Sequence, residues 1–461
     1  MNECDITLVN ISTPLPSNGG EKPNVYAPLG CLYLISSLER AGFRVDFRDY
    51  QLYAADAPDP LDLELLGTFL EEPAPVVGFS CMVSMLPFVM LGTRRFKELH
   101  PSCIVVLGGP GPSGVAERII SAWPWIDVVV KGEGEETLVE LLTVLRTDGD
   151  RGVVPGISYR EGPRTCKTVA RSRIRDLDGI PMPAYDRIDL SRYTCVSVVT
   201  GRGCPYRCTF CDVGPLWGNK TVMRSVGSVM DELTLLRDRF GQHTIHVADD
   251  TFDLARGRTE EFCDRIKELE LRWSCLARID LMDEALIERM AGAGCDAVFL
   301  GIESGSDAVL RKIKKKFTIE EATVKAEMST RYMDRVITSY IWGFPFETME
   351  DFKLTLLSVV SMWHLGAMAG LKLLSPMPLS QLGIRYRDRL AFSEDLCSVF
   401  ASLGNMVPGE TEKRAALPSA FKDCIREYPD IFSGFYYIEC DGIEDKVEYL
   451  KRFSRRVGVP A

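Results

Sequence analysis

Three cysteines decide most of what this chain can be. Cys204, Cys208 and Cys211 lie in Gly201–Val213, which reads Gly-Arg-Gly-Cys-Pro-Tyr-Arg-Cys-Thr-Phe-Cys-Asp-Val. Three and then two residues separate them. The β-branched run Val196–Thr200 precedes them and predicts a strand, so the cysteines sit on the loop leaving its C-terminal end. Gly201, Gly203 and Pro205 supply the turn chemistry that folds such a loop back on itself. A structural zinc site takes four ligands, usually as two separated pairs. This chain has no second Cys-x-x-Cys and no His-x-x-x-His. Thiolates also hold iron–sulfur clusters, where four normally saturate a cubane and three leave one iron open. Arg202 and Arg207 offset the negative charge of such a thiolate-ligated centre. Three unrelated buried cysteines, in a chain that has 15, would not need this Gly/Pro/Arg setting.

Cys-x-x-x-Cys-x-x-Cys on the loop after the first strand of a partial barrel resembles the signature of the radical S-adenosylmethionine (SAM) superfamily. The resemblance implies a [4Fe–4S] cluster on Cys204, Cys208 and Cys211. Its open iron would bind SAM, which reductive cleavage converts to a 5′-deoxyadenosyl radical.

Alternation of strands and helices continues after the loop. Strands are predicted at Thr244–Ala248, Trp273–Ala277, Ala297–Ile302, Val336–Ile341 and Gly370–Leu374, with helices between them. With Val196–Thr200 this makes six βα units, a partial (β/α)6 barrel whose chemistry belongs at the strand C-terminal ends. Polar residues gather at those ends: Asp249 and Asp250, Arg278, Glu303 and Ser304, then Glu347 and Thr348, then Ser375. By the resemblance, Phe210 contacts adenine, and Asp250, Arg278, Glu303 and Ser304 are candidates for the SAM ribose, amino and carboxylate groups. Helix N-capping is the other use of such residues, and for Asp249 and Thr348 the two readings stand level. His243 and His246 fall on opposite faces of one strand, which reads as structural rather than metal-binding. Trp342 reads as core or cavity lining. The basic run Arg311–Lys316 reads as a solvated helix end.

The N-terminal third also alternates. Strands are predicted at Ile6–Ile11, Phe43–Tyr50, Val76–Phe79, Ile104–Leu107 and Ile126–Val130, with a helix over Leu29–Ala41. That pattern predicts a doubly wound parallel sheet with ligands at the strand C-terminal ends. Gly109–Gly114 matches Gly-x-Gly-x-x-Gly, but it follows a late strand rather than the first, where a dinucleotide fingerprint belongs. The segment instead resembles the cobalamin-binding domain fused to many radical SAM enzymes. Pro28, Leu29 and Gly30 open the first helix. Ser80 and Met82 follow the third strand, Gly108 and Gly109 the fourth, and Gly132 and Glu133 the fifth. The resemblance implies that these loops wrap the corrin and its nucleotide tail. The Asp-x-His-x-x-Gly motif that supplies a histidine ligand in some cobalamin domains is absent, which leaves Leu15, Met82 or Val83 near the lower face.

The expected class is therefore α/β. A cobalamin-binding Rossmann-like domain at 1–145 and a linker at 146–190 precede a radical SAM barrel at 191–390. A short, mainly helical C-terminal region at 391–461 follows, with the aromatic cluster Phe432, Phe435, Tyr436 and Tyr437 as a possible substrate lid. Net charge is −11, which argues against a nucleic-acid partner. The odd, scattered cysteines, a polar N-terminus and the lack of a long apolar run read as a reduced, cytoplasmic protein off the membrane. The architecture resembles cobalamin-dependent (class B) radical SAM methyltransferases. It implies methyl transfer to an unactivated carbon or phosphorus of a small natural-product intermediate, with a flavodoxin- or ferredoxin-like one-electron donor. A radical rearrangement or cyclisation, or transfer of the aminocarboxypropyl arm of SAM, uses the same cofactors.

Overall fold

The computed structural model describes residues 3–12, 25–55, 57, 59–396 and 418–457. These fall into two compact units, one formed by 3–12, 25–194 and 418–432, the other by 195–396 and 433–457.

The first unit is built on a seven-stranded sheet in the order β2-β1-β3-β4-β5-β6-β7. Its strands are β1 (Ile6–Ile11), β2 (Val45–Asp49), β3 (Val76–Cys81), β4 (Ile104–Gly108), β5 (Val128–Val130), β6 (Ile157–Glu161) and β7 (Arg164–Lys167). The first five run parallel. Their near-continuous apolar runs are what a sheet covered on both faces requires. Strand order reverses between β1 and β3, and a ligand crevice opens at such a switch point, outside the strand C-terminal ends. Ser80 and Cys81 end β3 at this place, and Met82 follows, 55% exposed. The segment expected as an ordered linker also joins the sheet. Its hairpin pairs antiparallel with β5 and covers an edge whose three valines are buried. The helix Leu63–Phe69 was not anticipated, because seven residues are too few to establish a helical period.

The second unit contains six parallel strands in the order β15-β14-β13-β12-β11-β8. In chain order they are β8 (Val196–Val198), β11 (Thr244–Val247), β12 (Arg272–Ala277), β13 (Cys295–Glu303), β14 (Arg335–Trp342) and β15 (Met368–Leu373). Between β8 and β11 lie two further short strands, β9 (Gly201–Arg202) and β10 (Val222–Met223), which pair with each other. Helices Val226–Phe240, Arg256–Ile266, Glu284–Gly292, Ile319–Tyr332 and Met349–His364 connect consecutive barrel strands. The expected partial barrel is present, with every strand in its predicted place. Trp273 anchors its core. It is fully buried, meets Phe252 and Phe262 edge-on at 5.3 and 5.2 Å, and donates from Nε1 to the Ala293 carbonyl at 2.8 Å.

The segment expected as one C-terminal region is shared between the units. Helix Ser419–Glu427 packs Phe421 against Phe88 in the first unit. The second unit takes the helix Ile443–Val457, whose Lys446 forms a buried ion pair with Glu347 at 3.0 Å. Phe432 lies in the first unit, while Phe435, Tyr436 and Tyr437 lie in the second. All but Tyr437 are buried. No described helix is long and apolar enough to cross a membrane.

Trp273→Ala removes the side chain that backs the β11 loop through Phe252. We expect it to cost about 3–5 kcal/mol, seen as a lower guanidinium chloride midpoint for the second unit.

Candidate active site

The cysteine loop leaves β8, and buried carboxylates from the neighbouring strand end hold it in shape. Asp249 is 5% exposed and accepts three hydrogen bonds. They come from the Thr200 N–H at 2.6 Å, the Thr200 hydroxyl at 2.6 Å and the Gly201 N–H at 3.0 Å. Burial pushes its carboxyl up to about 6, against those bonds and nearby Arg258. Asp250 accepts from the Gly203 N–H at 2.9 Å. Two adjacent aspartates therefore grip two successive parts of one loop. Thr251 places its hydroxyl 3.6 Å from the Cys204 sulfur. The far end of the loop is pinned as well. The Thr209 N–H donates to the Ile313 carbonyl, and the Leu382 N–H to the Thr209 carbonyl.

All three cysteine side chains are partly exposed. The Cys211 thiol is pushed up to about 12, chiefly by burial and then by the neighbouring Cys208 and Cys204 thiols. A cation beside it would favour the Cys211 thiolate, and thiolates select soft, iron- or zinc-type centres. Among the described residues no three His, Cys, Asp or Glu side chains converge tightly enough to hold a single metal ion. A polynuclear centre takes one thiolate per iron and so suits wider spacing. The loop also carries buried polar atoms without partners at Thr209 Oγ1 and Asp212 Oδ1.

Around the loop the structure separates the predicted residues by what they touch. Phe210 packs edge-on to Phe344 at 6.1 Å, beside the cluster of Val309, Leu310 and Ile313. Glu303 ends β13 at φ +77°, a left-handed conformation that is strained for a residue with a side chain. It pairs with Lys315 at 3.1 Å, both side chains being nearly buried. Lys315 also donates to the Gly301 carbonyl at 2.9 Å. Reading the basic run as wholly solvated therefore fails at Lys315, whose side chain is 7% exposed. Ser304 faces the protein interior. It is fully buried, with its hydroxyl against Thr355 at 3.1 Å and accepting from the Ser306 N–H, so it shapes the turn from behind.

Arg278 is 8% exposed. Its guanidinium lies 3.6 Å over the Tyr206 ring centroid and bonds to Asp280 at 2.9 Å. Its backbone N–H is held by both carboxylate oxygens of Asp253, at 3.0 and 3.2 Å. Burial pushes Asp253 up to about 7. Tyr206, Asp253 and Lys315 are the site residues that sequence reasoning missed. Tyr206 lay in view between two cysteines, while the other two belong to charged runs whose inward members only packing selects. Thr348 caps the helix Met349–His364 through a capping box. His246 bonds to Ser274 at 3.0 Å, and Trp342 packs against Phe352 at 5.2 Å; both are structural.

In the first unit, strand-end loops present open backbone. An added Cβ at Gly30, Gly108 or Gly132 would meet nothing within 4 Å. Gly109 differs: at φ +94° its Cβ would stand 2.8 Å from the Cys81 carbonyl oxygen, so only glycine lets β4 turn past β3. Pro28 and Leu29 begin the helix Leu29–Arg40. Burial pushes the Cys31 thiol up to about 12, and the nearby Ser80 hydroxyl opposes that shift. Glu133 faces the connector. Its side chain is buried and accepts from the Ile174 N–H at 2.9 Å, with Arg173 3.7 Å away, so it fastens the connector. Val83 is half-buried in a short turn after Met82, and Leu15 lies outside the described residues.

Comparisons with known proteins match both halves. Residues 198–359 match the Radical SAM superfamily, and residues 19–142 match the B12 binding domain. An uncharacterized methyltransferase of Pyrococcus horikoshii is 29% identical over 336 residues, 71% of this chain and 72% of the relative. The anaerobic magnesium-protoporphyrin IX monomethyl ester cyclase of Cereibacter sphaeroides is 27% identical over 391 residues, 81% of this chain and 62% of the relative. The fold is similar to that of the radical S-adenosylmethionine methyltransferase TsrM from Kitasatospora setae, solved with tryptophan substrate and a SAM analog. The TM-score is 0.70 at 20% identity, covering 97% of this chain and 88% of that one.

Asp253 gives the site a pH signature. Its carboxyl is raised from 3.8 to about 7, so the folded state disfavours the ionised form. Its contribution to stability is greatest below the unfolded value and is lost as pH rises towards 7. We expect the wild type to lose about 4 kcal/mol relative to Asp253→Asn between pH 4 and 7.5, measured as the difference between their urea unfolding free energies.

Proposed function

We propose that this chain, which joins a B12-binding domain to a radical SAM domain, is a cobalamin-dependent radical SAM methyltransferase acting on an unactivated carbon of a small molecule. The observation that carries this reading is the coexistence of the two domains with a three-thiol loop at a barrel strand end. When bound, the cluster supplies an electron for cleavage of SAM and the cobalamin a methyl group for transfer.

The chain's own residues provide position and shielding. Cys204, Cys208 and Cys211 would hold the cluster, leaving one iron without a protein ligand. Asp249 and Asp250 fix the loop backbone, so the three thiols are presented without rearrangement. Phe210 and Glu303 are the predicted SAM contacts whose placement beside the loop supports that role. Asp250 is already committed in part to Gly203. The open backbone at Gly30, Gly108 and Gly132, with exposed Met82 beside the switch point, suits close approach of a large planar ligand. An external one-electron donor completes the reaction.

The cyclase relative supports a second reading, radical cyclisation with the same cofactors. Products separate the two. The chain reconstituted anaerobically with iron, sulfide and hydroxocobalamin should show cluster absorbance and retain corrin bands through gel filtration. Methyl transfer predicts one S-adenosylhomocysteine per methyl group delivered, whereas cyclisation predicts none. Cys208→Ala should lose the cluster absorbance and essentially all 5′-deoxyadenosine formation while still retaining corrin; a variant that keeps both signals refutes the assignment.

A further inference from the structure

Arg278 was expected to meet SAM, yet its geometry points at the protein. The guanidinium covers the Tyr206 ring at 3.6 Å, a close cation–π stack in a largely water-free place. Tyr206 stands between Cys204 and Cys208, so the arginine charge sits against the middle of the cysteine loop. Two carboxylates set its orientation. Asp280 bonds Nη2 at 2.9 Å, and Asp253 holds the backbone N–H through both oxygens. The helix Ile319–Tyr332 buttresses that turn, with Lys325 donating to the Ile279 carbonyl at 3.0 Å. The exposed Lys316 ammonium lies farther off, 5.7 Å from the Tyr206 centroid. Arg278 also interacts electrostatically with the Cys208 thiol.

An arginine stacked on one side and paired on the other forms a fixed dipole with its positive end on the loop. Reduction of a thiolate-held cluster adds negative charge, and net charge and nearby dipoles set the potential at which that happens. We propose that Arg278 is a positioning residue that seats the cysteine loop through Tyr206 and, by its charge, eases one-electron reduction of the cluster. This rests on the assignment of Cys204, Cys208 and Cys211 as cluster ligands. The step moves one electron from an external one-electron reductant into the cluster, with no bond or proton exchanged.

The test uses the full chain reconstituted anaerobically and titrated with titanium(III) citrate, which gives up one electron as it becomes titanium(IV). The reduced fraction is followed by EPR. Arg278→Gln should lower the reduced-to-oxidised ratio about tenfold at a given potential, a downward shift of ~59 mV. Asp280→Asn removes the opposing charge and should shift the potential upward. Arg278→Lys keeps the charge and should recover part of the loss. Opposite shifts in the glutamine and asparagine variants are the expected result, since a merely structural role would lower cluster content without them. If Arg278→Gln takes up no cluster, the direction of the Asp280→Asn shift decides. Unchanged potentials with weaker SAM retention in equilibrium dialysis would make Arg278 a SAM contact and overturn the proposal. A wild-type chain that takes up no cluster overturns it together with the ligand assignment.

Discussion

A carboxylate cut off from water holds the cysteine loop at its root. Asp249 sits at the end of β11, yet its hydrogen bonds come from the chain leaving β8: two backbone N–H groups and a hydroxyl. Burying an aspartate is costly unless its oxygens are bonded, and the loop's own backbone supplies the bonds. The consequence runs both ways. The loop cannot take its shape without the barrel, and the barrel end cannot bury Asp249 without the loop. Asp250 extends the grip to Gly203, Thr251 reaches Cys204, and Asp253 holds the strand end that carries Arg278. One turn of chain after β11 thus organises the thiols, the loop backbone and the arginine above them.

Two buried charges beside this loop are held in pairs. Glu303 is matched by Lys315 and Arg278 by Asp280. Buried pairs of this kind add little net stability, because desolvation consumes most of the attraction. They do fix direction. Glu303 keeps its left-handed backbone with Lys315 bound to both its carboxylate and the Gly301 carbonyl, a local strain that the surrounding contacts must sustain. The first unit uses another device: its strand ends offer glycine backbone at a topological switch point, where a large ligand can approach the main chain closely.

Much of this was legible in the residues, for identifiable reasons. The six barrel strands are short apolar runs between turn residues and well-formed amphipathic helices, so period and punctuation located them. The cysteine spacing is a local pattern within one loop and needed no fold to be seen. The partners of Ser304, Glu133 and Lys315 could not be read there, because each depends on side-chain direction at a bend. Ser304 turns behind the strand end towards Thr355, Glu133 turns to the backbone at Ile174, and Lys315 alone among the basic residues of its run turns inward. The hairpin Ile157–Lys167 read as a connector because pairing to β5 is a long-range event that hydrophobic period does not encode.

The sequence by itself determined the element order, the two α/β units and the three thiols on one loop, since these follow from local period, turn chemistry and spacing. Only the tertiary structure decided which charged residue meets which. Asp249 rather than Thr200 carries the loop, Arg278 faces Tyr206, and Lys315 faces Glu303. Partners far apart in the chain are chosen by strand register and burial, and desolvation rewards a buried charge only where the fold delivers a matching group.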